Sequence, residues 1–86
     1  MIQDVNIAYY NEKDWERLLA YADDRETMHD TWKEWHESFL KMKNDLIAHG
    51  FKVKDIVVDL DELQRYCIIR GIKNDGKARS SFVTNK

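Results

Sequence analysis

Met28, Trp32, Trp35, Phe39, Met42 and Leu46 follow one another at intervals of four, three, four, three and four residues. That spacing puts all six on one side of a helix of 3.6 residues per turn. Leu40 and Ile47 widen the stripe, and Gly50 is a natural C-terminal stop. Thr27 suits the N-cap, with Asp30 three residues on, where a carboxylate favours the helix dipole. The pattern predicts one long helix running to His49, and everything else in the chain has to fold around it.

Eighty-six residues make one domain, here residues 1–86, with little stability to spare. Hydrophobic residues at 43% and charged residues at 35% are globular values, which argues against disorder. The chain has no proline and three glycines, so long elements with few punctuated turns are expected. No apolar run approaches the roughly 18 residues needed to span a bilayer, and the N-terminus lacks the basic start and apolar core of a secretory signal. The one cysteine, Cys67, excludes an internal disulfide framework. A cytoplasmic location is the expectation, with no membrane partner.

Two stretches read as strands. "QDVNIAYY" alternates Val5, Ile7 and Tyr9 with Asp4, Asn6 and Ala8, and "FKVKDIVVD" is rich in β-branched residues. Asn11, with Asp14 as its reciprocal partner, suits the start of a helix whose inner face is Trp15, Leu18, Leu19 and Ala22. Asp59 with Glu62 suits the next, with Leu60, Leu63 and Cys67 inside and Gly71 at its end. Asn74 or Asp75 can cap a short last helix that turns Ala78, Phe82 and Val83 inward. The fold class is therefore α+β in the order β-α-α-β-α-α: a small two-stranded sheet covered by helices, one of them long and central. The strands can pair parallel or antiparallel. The alternative is a mostly α domain whose single strand pairs across a dimer.

Motifs with possible chemistry have ordinary explanations. His29 and His36 are seven residues apart. That spacing separates their Cα atoms by about 10 Å along a helix, too far for one metal ion. Cys67 has neither CxxC spacing nor an adjacent base. Asp59, Asp61 and Glu62 suit a helix N-terminus, and "NDGK" lacks the phosphate-loop pattern. No catalytic constellation, metal, cofactor or small-molecule ligand is implied.

Charge is unevenly distributed. Residues 1–64 carry 8 Lys and Arg against 15 Asp and Glu, a net of −7, whereas residues 65–86 carry 6 against 1, a net of +5. The stretch "RYCIIRGIKNDGKARSSFV" holds Arg70, Lys73, Lys77 and Arg79, a candidate basic patch. Helix, Gly71 turn and helix over residues 60–84 trace the outline of a helix-turn-helix. Nucleic-acid binding through that patch is therefore one reading, though the acidic remainder of the chain opposes it.

Two segments, "DWERLLAYADDRETMHDTWKEW" and "VDLDELQRYCIIRGIKNDGKARSSFV", together resemble a family of small uncharacterised bacterial proteins. That family has a paired-Trp long helix and a C-terminal "YC…RGI…DGKARS.FV" stretch. The resemblance covers residues 14 to 83 and implies a soluble, single-domain bacterial protein without an established activity. The leading expectation is a non-enzymatic interaction module associating with a protein partner or with itself through the long helix. Its candidate surface is Trp32, Trp35 and Phe39, a stripe that looks large for so small a domain to hide.

Overall fold

The computed structural model describes residues 3–86. Strand β1 (Gln3–Tyr9) leads through a 3-10 turn at Glu12–Asp14 into helix α1 (Trp15–Tyr21). A second 3-10 turn at Arg25–Thr27 precedes the long helix α2 (Trp32–Ala48). Strand β2 (Phe51–Val57) and helices α3 (Leu60–Arg70) and α4 (Gly76–Thr84) complete the chain. The order is β-α-α-β-α-α, as the sequence implies.

The two strands pair parallel, with Gln3 opposite Phe51, Ile7 opposite Asp55 and Tyr9 opposite Val57. β2 thus finds its partner within the chain, and the single-strand alternative falls. A two-stranded sheet is marginal in water unless helices cover it. Helix α2 covers one face, where Tyr9 meets the rings of Trp35 and Phe39 edge-on at 5.7 and 5.4 Å. Helix α4 covers the other, where the Asn6 side chain donates Nδ2 to the Val83 carbonyl at 3.0 Å. Trp15, Leu18, Leu60, Leu63, Cys67, Phe82 and Val83 are buried in the core beneath. Burial pushes the Cys67 thiol up, which suits a packing role.

Two helix starts differ from the sequence expectation. Thr31, not Thr27, caps α2, accepting from the Glu34 amide at 3.2 Å while its hydroxyl bonds the Glu34 carboxylate at 2.9 Å. "TWKE" has the capping-box sequence, with the Glu34 carboxylate meeting the Thr31 hydroxyl rather than its backbone N–H, and it outcompetes Thr27. Thr27 instead turns its hydroxyl back to the Asp24 carbonyl at 2.9 Å and closes the 3-10 turn, leaving Met28 in extended backbone. At the first helix, the Asn11 side chain makes no cap bond; its carbonyl accepts from the Asp14 amide and starts a 3-10 turn. The later caps follow the sequence. Asp59 accepts from the Asp61 and Glu62 amides, and Asp75 accepts from the Ala78 amide. Gly71 takes the left-handed conformation at φ 64°, and Ile72 N–H bonds back to the Cys67 carbonyl at 3.0 Å.

Candidate functional site: a cleft at the open edge of β1

A cleft of about 550 Å³ runs along the side of β1 that faces away from β2. Asn6, Ile7 and Ala8 form its floor, and no residue of β2 reaches it. Trp35, Ser38, Phe39 and Met42 of α2 form one wall, because positions i, i+3, i+4 and i+7 share a helix face. Ser80, Val83 and Thr84 of α4 form the opposite wall. The loop between α1 and α2 closes one end with Asp24, Thr27, Met28 and His29, next to Trp15 and Tyr10.

The closed end is held by a buried ion pair. Asp24 Oδ2 accepts from Arg79 Nη2 at 2.7 Å, from the Gly76 amide at 3.1 Å and from the Thr27 hydroxyl at 3.2 Å. Arg79 Nη1 donates to the Asn74 carbonyl and side-chain oxygen at 3.0 and 3.1 Å. The Asn74 amide donates to Asp23 at 2.8 Å, and the Asp23 amide donates to the Asn74 carbonyl at 2.9 Å. Two loops some fifty residues apart in sequence are thus laced together, and the start of α4 is fixed at the closed end of the cleft. Burial alone would push the Asp24 carboxyl up, but the Arg79 hydrogen bond and charge, with the Thr27 hydroxyl, outweigh it and hold the carboxyl below its ordinary value. The neighbouring Tyr10 hydroxyl is pushed up to about 12, chiefly by burial, with Arg79 opposing and Asp24 reinforcing the shift. Asp24 Oδ1 and Trp15 Nε1, both buried, find no hydrogen-bond partner among the described residues.

The three aromatic residues singled out on α2 turn inward. Phe39 is 4% exposed, and Trp35 stacks on Trp15 at 5.5 Å while also meeting Tyr10 and Phe39. Trp32 is half-buried, donates Nε1 to the Tyr10 carbonyl at 2.7 Å and stacks on His36 at 4.4 Å. One small domain therefore does hide most of this stripe, against Tyr9, Tyr10 and Trp15. Trp35 and Phe39 nevertheless line the cleft, whereas Trp32 closes off the backbone at its end.

The basic residues do not form one patch. Arg70, Lys73 and Lys77 are exposed, with the Arg70 guanidinium over the Tyr66 ring at 4.6 Å. Arg79 is only 7% exposed and is spent on Asp24 and Asn74. Its place in the expected patch is corrected for a simple reason: on α4 it shares the inner face with Ala78, Phe82 and Val83. The helix that would serve as the reading helix of a helix-turn-helix is packed on β1 by that same face.

Ser38 and His29 meet across the cleft wall, Oγ to Nε2, at 3.2 Å. A hydroxyl activated for attack also needs its imidazole oriented by a third group. Among the described residues no carboxylate bonds His29, and the adjacent Asp30 is paired with Arg25 at 2.8 Å. The pair adds a polar contact to the α2 side of the cleft. Among the described residues no cluster of His, Cys, Asp and Glu is placed to hold a metal ion, and no helix is long and apolar enough to cross a membrane. No protein-family model, curated protein or solved structure matches the chain.

Proposed function

We propose that this chain is a non-enzymatic interaction module whose docking surface is the cleft walled by its Trp-bearing helix. The observation that carries the reading is the cleft itself. Its volume falls in the range of built ligand sites, its α2 wall carries Trp35, Phe39 and Met42, and its α4 wall sets the hydroxyls of Ser80 and Thr84 beside Val83. Met42, 44% exposed on that wall, is a side chain that adapts to varied partners. Trp35 and Phe39 pack on Tyr9 and also line the cleft, and the partner we propose for it is a polypeptide.

Panning a phage library of random twelve-residue peptides against the purified chain tests this. Met42→Arg puts a charge in the cleft, whereas Leu40→Arg alters an exposed residue of α2 that does not line it. The expected result is at least a tenfold loss of affinity for selected peptides in Met42→Arg and none in Leu40→Arg. Equal binding by wild type and Met42→Arg would overturn the reading.

A further inference from the structure

We infer that the occupant of this cleft is an extended, uncharged peptide segment that joins β1 as a third strand. This rests on the interaction-module reading and specifies the partner of the same site. In a parallel pair, one residue turns its N–H and C=O toward the partner strand and the next turns them away. Val58 N–H donates to the Tyr9 carbonyl at 2.9 Å, so Tyr9, Ile7 and Val5 address β2. Asn6 and Ala8 then address the opposite side, which is the floor of the cleft. The Tyr10 carbonyl points the same way and is taken by Trp32 Nε1 at 2.7 Å. For Asn6 and Ala8 the described chain supplies no such backbone partner, and the sheet holds only β1 and β2. Two donors and two acceptors, repeating about every 7 Å, face the groove.

That pattern selects the ligand. A docked helix has its backbone groups bonded internally and would leave all four unpaired and covered. An extended main chain pairs with them, the strand-addition mode of peptide recognition. Its side chains would alternate between the two walls. Those facing Trp35, Phe39 and Met42 should be large and apolar, and those facing Ser80, Val83 and Thr84 small or hydroxylated. Asp24 and Arg79, the Asp and Arg that line the cleft among the described residues, already pair with each other, so a charged residue carried inside would lose water with no unpaired countercharge to meet. The Trp32 bond to Tyr10 marks where the added strand must end.

The test uses a peptide selected on the full chain, resynthesised as a series with one N-methyl group at each position in turn. The inference expects at least tenfold weakening at alternate positions, with little change between them. Losses spaced three and four residues apart, or none, would overturn it while leaving the cleft reading intact. Ala8→Pro removes an N–H that β2 does not use, so it should keep the sheet yet cost at least tenfold in peptide affinity. Wild-type affinity in a folded Ala8→Pro chain would overturn the inference; if that variant does not fold, the N-methyl series on wild type decides. Selection of no peptide that Met42→Arg loses would overturn the cleft reading itself.

Discussion

The two outer edges of this small sheet are built differently. Along β2, Lys52, Lys54 and Asp55 are exposed, and Asp55 is tied to Lys43 of α2 at 2.9 Å. Along β1, the residues over the cleft are Asn6, Ile7 and Ala8, without a charge among them, recessed between α2 and α4. Charges, lysine above all, are how natural sheets keep an edge from pairing with strangers. β2 has that protection. β1 relies instead on two helices that flank it and leave a cleft between them. A two-stranded sheet thus has one edge closed by chemistry and one admitted to by shape.

The largest effects should come from dismantling the walls of the β1 slot. Phe39→Ala removes a buried ring under the α2 wall and should cost about 3 to 5 kcal/mol in urea unfolding; a loss under about 1 kcal/mol would mean the stripe is not core. Arg79→Ala should cost a similar ~3 to 5 kcal/mol, because it leaves the Asp24 carboxylate largely enclosed without its cation.

A pH series sharpens the same point. The Asp24 carboxyl is depressed in the folded chain from an ordinary value of 3.8, so its contribution is complete above that value and is lost as pH falls through the depressed one. The stability gap between wild type and Asp24→Asn should therefore shrink on going from about pH 6 to about pH 2. A gap that stays constant would remove the ion pair from the account.

Smaller effects belong to the guarded edge. Lys52→Thr combined with Lys54→Thr should increase self-association in sedimentation at high micromolar concentration, and no increase would show that those charges do not guard β2. Lys43→Ala breaks the partly exposed pair with Asp55 and should change stability by only ~0 to 1 kcal/mol.

Much of the fold is legible in the sequence because it is periodic. Alternation marks β1, the Trp32, Trp35 and Phe39 stripe marks α2, and Asp59, Gly71 and Asp75 mark the ends of α3 and α4. Thr27 reads as the N-cap of α2, but the cap is Thr31, and "TWKE" held the deciding signal in its glutamate. The site is less legible. Asp24 and Arg79 lie 55 residues apart, and nothing local joins them. Arg79 sits in a run of basic residues and so reads as surface, yet it stands three and four residues before Phe82 and Val83, the signal that it shares their buried face. The open groups of Asn6 and Ala8 follow from which side of β1 takes β2, a fact of register that single-strand patterning does not contain.

Amide hydrogen exchange along β1 in the free chain reads the open edge itself, with no partner required. An alternating pattern is expected, with Ile7 and Tyr9 protected by β2, and Asn6 and Ala8 exchanging at least tenfold faster into the open cleft. Protection of Asn6 and Ala8 equal to that of Ile7 and Tyr9 would mean the β1 edge is already closed, and would contradict it.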